Sequence, residues 1–134
     1  MPIQLDIVTP ESRVISVAAD HVRAPGADGL FGVLPGHTPF LAKMEPGELT
    51  YRVGAQEFRY FVGGGFVEVV DDKMIVLAEA AERVDEIDPV RAQKALSDAQ
   101  ERLRLLAVGE AETEALERAR VKRAAARLAL ARKR

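Results

Sequence analysis

Residues that could carry out chemistry are few in this chain, and they lie far apart. The two histidines, His21 and His37, have neither a metal-ligand spacing nor a neighbouring nucleophile, a pattern typical of structural or surface histidines. The acidic pair Asp71-Asp72 is most simply explained as the cap of a hairpin turn. The sequence has no Ser-His-Asp pattern, no Walker-type loop and no dinucleotide fingerprint. It therefore predicts no catalytic centre and no metal site.

The glycine run at positions 63–65 has two interpretations. Such a run can cradle a phosphate, but no helix follows it here and no Lys-Ser/Thr pair completes a nucleotide loop. Between two strands, the same run indicates a bulge or a close approach of two backbones. The second interpretation is favoured.

The composition narrows the class of protein. The chain has 134 residues, of which 48% are hydrophobic, enough for one compact core plus an appendage. Its formal net charge of -2 argues against a nucleic-acid partner, since phosphate binding needs a cationic surface. The absence of cysteine excludes disulfides, thiolate metal sites and a cysteine nucleophile. No signal peptide or bilayer-spanning apolar run is expected, so any membrane association would be indirect.

The first part of the chain alternates with a period of two. Ile3, Leu5 and Ile7 point to one side, and the triplets Leu49, Tyr51, Val53 and Phe58, Tyr60, Val62 do the same. Such short segments, broken by turn residues, predict an antiparallel sandwich or barrel. The breaks are Thr9-Pro10, Pro25-Gly26, Asp28-Gly29, Pro46-Gly47, Gly54 and Asp71-Asp72.

The composition changes after Glu82. The segment 83–87 is expected to be a short polar linker, after which Asp88 can cap a helix and Pro89 fits its first position. Gly109 predicts a stop, and a second helix should begin near Glu110. The prediction is an α+β fold in two domains: an antiparallel β-sandwich over residues 1–84 and an antiparallel two-helix hairpin over residues 85–134.

Both helices have thin apolar faces. In the second helix acidic residues precede basic ones, which complements the helix dipole. Because alanine buries little area, a hairpin with such faces should be held weakly and could change position, as a switch would. The expected face of the first helix is Ala92, Ala95, Leu96, Ala99, Leu103 and Leu106; that of the second is Ala115, Leu116, Ala119, Ala126 and Leu130.

The segment 29–41 combines turn residues with apolar ones. Its Pro35-Gly36 pair fits the two central positions of a turn, Gly36 with a positive φ. The order Gly-x-Phe-Gly-Val-Leu-Pro-Gly-His-x-Pro resembles the signature loop of the epsilon subunit of bacterial rotary ATP synthases. The segments Leu5–Glu11, Gly64–Val69 and Ile75–Glu82 resemble other parts of that family in the same order, and the match spans the whole chain.

The resemblance implies a non-catalytic central-stalk (rotor) subunit of the proton-translocating F1Fo ATP synthase. The head would bind the gamma subunit and rest on the c-subunit ring, and the hairpin would fold on the head or extend toward the alpha/beta catalytic subunits. The chain would then lie at the cytoplasmic face of the bacterial inner membrane as a peripheral component. The resemblance assigns gamma and c-ring contacts to Leu30, Phe31, Gly32, Pro35, Gly36, His37 and Pro39.

The second helix carries the implied inhibitory function. By resemblance its cations would meet acidic surfaces of the catalytic subunits and obstruct ATP hydrolysis. The implied inhibitory residues are Lys122, Arg123, Arg127 and Arg132.

Leu30 departs from the family pattern of the loop. Many members carry Glu at this position, where it faces the membrane ring, and a leucine indicates an apolar contact instead.

A regulatory ATP site is the remaining possibility, and no cofactor is otherwise required. Ile87, Asp88, Arg91 and Ala92 resemble the Ile-Asp-x-x-Arg-Ala motif of ATP-binding epsilon subunits, with Arg123 and Arg127 completing the site. Asp98 stands where those members have a further arginine, and an acid would repel phosphate. A capped helix start with a solvated basic face explains the motif equally well. The competing function is a stand-alone nucleotide-sensing module with ATP on the hairpin.

Overall fold

The computed structural model describes residues 2–106 and 109–133. A sheet of eight strands is followed by a short 3-10 helix at Val84–Glu86 and by two α-helices, as predicted for an α+β fold. The strands are β1 Ile3–Val8, β2 Arg13–Ala19, β3 His21–Gly26, β4 Gly29–Val33, β5 Phe40–Val53, β6 Gln56–Val70, β7 Lys73–Ala78 and β8 Ala81–Arg83; the helices are α1 Pro89–Arg104 and α2 Ala111–Lys133.

The strands form a β-sandwich, called the head below. Their order is β2-β1-β7-β6-β5-β3-β4, with β8 also paired to β6. The described pairs are antiparallel except β1 with β7, which run parallel and so depart from the purely antiparallel expectation. The long strands β5 and β6 pair along nearly their whole length, from Phe40 with Val69 to Val53 with Gln56.

The predicted strand break at Pro46-Gly47 is wrong, and the glycine run 63–65 does not lie between two strands as expected. Pro46-Gly47 lies inside β5 and the glycine run 63–65 lies inside β6, next to the point where the ladder between the two strands is interrupted. The interruption accommodates a proline that cannot donate to the ladder. The expected close approach of backbones is confirmed: a Cβ on Gly65 would lie 1.9 Å from the Leu77 carbonyl oxygen.

The core of the head follows the period-two pattern. Ile3, Leu5 and Ile7 are fully buried, as predicted. Val53 is an exception, because it lies at the exposed end of β5. The other buried members of this core include Val22, Val33, Leu49, Tyr51, Tyr60, Val62, Val67, Val69, Met74 and Val76.

The segment predicted as a polar linker is part of the fold. Val84 and Ile87 are 2% and 1% exposed, and β8 pairs with β6 immediately before them. The linker prediction is wrong because these two apolar side chains are covered where the head meets the helices. The proposed division into residues 1–84 and 85–134 stays a prediction.

The helices form an antiparallel hairpin, as predicted. Arg102 near the end of α1 contacts Glu117 in the first half of α2, while Gln93 near the start of α1 contacts Arg132 near the end of α2. The predicted cap is confirmed, since the Asp88 carboxylate accepts the amides of the second and third helical residues at 3.0 and 3.4 Å. No described helix is long and apolar enough to cross a membrane.

The predicted apolar face of α2 is wrong in its first half. Ala115, Leu116 and Ala119 are exposed, whereas Leu128 and Ala131 are buried and Ala126 and Leu130 are half-buried. The helix packs on α1 and also on β5 and β6 of the head. Its buried residues are therefore determined by two contacts, one with the other helix and one with the sheet. In α1, Ala92 and Ala99 are buried as expected, but Ala95 is exposed.

Candidate functional site

A tight turn forms the tip of the segment 29–41, called the Pro35 loop below. The His37 amide donates to the Leu34 carbonyl at 3.1 Å and closes a four-residue turn. Pro35 is its second residue, and Gly36 is its third with a φ of +81°, as in a type II turn. The turn predicted from the Pro35-Gly36 pair is therefore confirmed.

The tip is tied to a second turn far away in sequence. The Gly36 amide donates to Oδ1 of Asp72 at 2.6 Å. Asp71 and Asp72 form the two-residue turn between β6 and β7, with φ values of 51° and 60°. The predicted hairpin turn is thus confirmed. The hydrogen bond from Gly36 to Asp72 was not predicted, because the two turns are separated in sequence by β5 and β6 and no local signal connects them.

Aromatic rings fix the base of the loop. Phe31 and Phe40 meet edge to face with ring centroids 5.4 Å apart, and both pack against the core. His37 is half-buried, because its ring lies 4.9 Å from that of Phe40 and its Nδ1 lies 2.7 Å from the Thr38 carbonyl oxygen. The histidine is therefore a structural part of the loop.

The outside of the loop is apolar. Leu30, Leu34 and Leu41 are 66%, 58% and 70% exposed, although each is a large hydrophobic side chain. Exposed leucines on an ordered loop can contact an apolar partner. The remaining predicted contact residues that are exposed are Gly32, Pro35, Gly36 and Pro39.

The second candidate surface is the basic half of α2, which lies against the head. Arg127 donates through Nε and Nη2 to the two carboxylate oxygens of Glu82 at 2.8 and 3.4 Å. Nζ of Lys122 lies 2.8 Å from Oε2 of Glu45, and this hydrogen bond holds the pKa of the Glu45 carboxyl below its ordinary value. The head therefore already engages two of the cations assigned to inhibition.

The other two cations are also in contact within the chain. Arg132 donates to the side-chain oxygen of Gln93 at 2.9 Å. The stem of Arg123 lies against β6, where a Cβ on Gly63 would be only 3.1 Å from Arg123 Cδ. Beside these contacts, a small apolar cluster joins hairpin and head: Phe61, Ile87, Ala92, Leu128 and Ala131.

Glu117 is buried between the two helices. Its side chain is 7% exposed and accepts from Arg102 of α1 at 3.2 Å and from Arg120 of α2 at 2.6 Å. A buried carboxylate is tolerated only when its charge is compensated, and here two guanidinium groups do so. The sequence shows only that acidic residues precede basic ones in this helix. It does not predict the burial of Glu117, because the partner Arg102 lies on the other helix.

An arginine-lined crevice of about 300 Å³ opens between the helices and β6. Arg123 and Arg127 lie on its wall together with Arg102 and Arg120. Its floor and remaining wall are apolar: Phe61, Ala80, Ala95, Ala99 and Ala124.

Comparisons with known proteins agree with the fold. The family model described as ATP synthase, Delta/Epsilon chain, beta-sandwich domain matches residues 2–84. An ATP synthase epsilon chain of Anaeromyxobacter dehalogenans is 55% identical over 131 residues, covering 98% of both chains. The chain belongs to the ATP synthase epsilon chain family. The epsilon chain of Myxococcus xanthus is 52% identical over 95% of this chain and 93% of its own length. The family recognised from the loop is thus confirmed, and the chain is a non-catalytic subunit of ATP synthase.

Solved structures share the architecture of this epsilon-family chain. A chain of the Euglena gracilis mitochondrial ATP synthase superimposes with a TM-score of 0.74 at 20% identity, over 93% of this chain and 78% of that one. A chain of the Tetrahymena thermophila mitochondrial ATP synthase central stalk and c-ring gives a TM-score of 0.57 at 13% identity, over 94% and 97%. At such identities the likeness concerns the fold.

The residues suggested for ATP in this epsilon-family chain are not gathered in one place. Ile87 and Ala92 are buried, and the Asp88 carboxylate is used in capping α1. The described lining of the arginine crevice includes Arg123 and Arg127 but not Ile87, Asp88, Arg91 or Ala92. Asp98 forms an ion pair with Lys94 at 3.1 Å. Among the described residues, no group of three His, Cys, Asp or Glu could hold a metal ion.

Proposed function

We propose that this chain is the central-stalk subunit of a proton-translocating F1Fo ATP synthase, where it couples c-ring rotation to ATP synthesis and restrains hydrolysis through α2. The observation that carries the proposal is 55% identity to an epsilon chain over 98% of both lengths, so head and hairpin are matched together. Its partners would be the gamma subunit, the c-ring and the alpha/beta subunits, at the cytoplasmic face of the bacterial inner membrane.

The Pro35 loop is the proposed contact with gamma and the c-ring. Its turn is closed by a backbone hydrogen bond, its base is fixed by Phe31 and Phe40, and its outside presents Leu30 and Leu34. A loop that is ordered before binding loses little conformational entropy when a partner docks on it. Rotation can be transmitted through such a rigid contact.

The docked hairpin is the proposed non-inhibitory state. Lys122 and Arg127 are paired with head carboxylates in this position. An extended hairpin would release both cations toward the acidic surfaces of the catalytic subunits. Inhibition therefore requires that the head and the catalytic subunits compete for the same side chains.

Replacing Gly36 by Val tests the loop contact. A Cβ at Gly36 meets nothing within 4 Å, so valine acts through the φ of +81° and not through a clash. A β-branched residue is strained in this region by at least about 1–2 kcal/mol, which should deform the tip. We expect weaker binding of purified gamma subunit and unchanged hydrolysis by the epsilon-free complex.

Gly54→Val is the matched control for this experiment. Gly54 also has a positive φ, of +61°, meets nothing within 4 Å and donates its amide to an aspartate, Asp20, at 2.7 Å. The same strain is thus introduced in a turn outside the Pro35 loop. Gamma affinity that is equal in Gly36→Val and the unmodified chain would contradict the loop as an interface.

ATP as a regulatory ligand of the docked hairpin is the second candidate. The observation that favours it is the crevice in which four arginines face an apolar wall, since guanidinium groups bind phosphate oxygens in a bidentate fork. To take part, Arg127 would have to exchange Glu82 for phosphate, and Arg102 and Arg120 would have to exchange Glu117. No cofactor is needed for the coupling function itself.

A further inference from the structure

We propose that Asp72 is a positioning residue for the Pro35 loop: its carboxylate fixes the Gly36 tip in the shape that the partner binds. The inference rests on the proposed function in one respect, namely that this loop is the contact with the gamma subunit. It assigns a role in assembly to a residue that lies outside the loop and that is not expected to touch the partner.

Asp72 stands at a junction of three segments. Its Oδ1 accepts the Gly36 amide at 2.6 Å, and its backbone carbonyl accepts the Gln4 amide of β1 at 2.8 Å. Its own position is set by the turn between β6 and β7, because Val70 and Lys73 are paired on either side of it. The sheet thereby holds the carboxylate in place, and the carboxylate holds the loop.

The conformation of Asp72 supports this assignment. Two-residue hairpins of this kind favour glycine at the second position, because its φ is positive. Asp72 has a φ of 60° and yet carries a side chain, which is the group that reaches the loop. Asp71 has a similar φ of 51°, but its side chain makes no hydrogen bond to any other residue that the structure describes.

The bond acts where the loop is least restrained by its own side chains. Phe31 and Phe40 fix the base of the loop, and the tip is closed by the backbone hydrogen bond from the His37 amide to the Leu34 carbonyl. Gly36 has no side chain and the widest choice of backbone angles. A charge-assisted bond to its amide restricts that choice before the partner arrives.

The test compares Asp72→Gly with Asp71→Gly. Each variant removes one carboxylate from the same turn, and glycine is fully compatible with the positive φ of both positions. In Asp72→Gly we expect faster hydrogen exchange of the Gly36 amide and gamma affinity that is lower by about fivefold, the scale of a typical net hydrogen-bond contribution. In Asp71→Gly we expect neither change. Asp72→Asn keeps an acceptor oxygen and should restore most of the affinity.

The outcomes separate this inference from the proposed function. If Gly36 exchange is unchanged in Asp72→Gly, the carboxylate does not order the tip and the inference is wrong. If exchange accelerates but gamma affinity is unchanged, while Gly36→Val still weakens binding, the inference is wrong and the loop remains the interface. If the unmodified chain does not bind gamma at all, the proposed function fails, and the assignment of Asp72 to partner binding fails with it.

Discussion

The ion pair between Glu82 and Arg127 should decide how long the hairpin stays on the head. Glu82→Gln keeps the size of the side chain and removes its charge, so Arg127 loses its partner while the four cations assigned to inhibition all remain. We expect the hairpin to leave the head more often. Inhibition of ATP hydrolysis should then increase, which is opposite to the effect expected from removing the cations themselves.

The magnitude follows from the exposure of the pair. The side chains of Arg127 and Glu82 are 24% and 32% exposed, so the pair is partly screened by solvent. Surface ion pairs contribute roughly 0.2–1 kcal/mol, and this bidentate, half-buried pair should lie at the upper end, near about 1 kcal/mol. Such a change shifts the equilibrium between docked and extended hairpins by about fivefold.

Two assays measure the shift. The chain has no cysteine, so Gln56→Cys on the head and Glu112→Cys on α2 provide two exposed positions for fluorophores. Energy transfer between them should fall in Glu82→Gln as the extended population grows. In the assembled ATP synthase, hydrolysis should be lower with Glu82→Gln and higher with Arg127→Gln. Glu57→Gln is the control, because Glu57 is exposed and forms no ion pair within the described part of the chain.

Two results would refute this reasoning. Hydrolysis that rises in Glu82→Gln would mean that the pair does not restrain the hairpin. The same conclusion would follow if Glu82→Gln and Arg127→Gln had fully additive effects on energy transfer, since contacting partners should show coupling in a double-mutant cycle.

The energy-transfer and hydrolysis assays should be carried out at neutral pH. The pKa of Glu45 is lowered by Lys122, so the contribution of that pair is present above the ordinary glutamate pKa and is lost as the pH falls through the lowered value.

Two further expectations can be checked on the isolated chain. If ATP binds, calorimetry should detect it, and Arg123→Ala and Arg127→Ala should abolish it; no heat at millimolar ATP would remove the sensor hypothesis and leave the stalk function intact. A chain ending after Ile87 should stay folded, with protected amides in β1 and β7, because the main core lies wholly within the head. It should lose about 1–2 kcal/mol of stability, since Phe61 loses the cover of α2, and loss of protection throughout the sheet would show that the head needs the hairpin.

Local signals made much of this structure predictable. The alternation of Ile3, Leu5 and Ile7 identifies a buried strand face, and Asp88 with Pro89 identifies a helix start, because each signal acts within a few residues. The turn at Pro35-Gly36 is local in the same way. Contacts between distant segments were not predictable: the bond from Gly36 to Asp72 and the burial of Glu117 depend on which elements pack together. The buried face of α2 was not predictable either, because it depends on how the helix packs on both the head and α1.

The docked hairpin owes its position to charge as well as to apolar area, and this follows from the composition of α2. Leu128 and Ala131 are the α2 residues that lie fully within the apolar cluster on the head, and burying them contributes roughly 2–3 kcal/mol. The Glu82 pair adds about 1 kcal/mol, which is therefore a substantial share of the total. A helix docked through a broad leucine face would not respond to competing carboxylates. In the proposed function, a partner that offers acidic groups to Lys122 and Arg127 would displace the head at modest cost, and the alanine-rich, charge-segregated sequence would let the hairpin act as a switch.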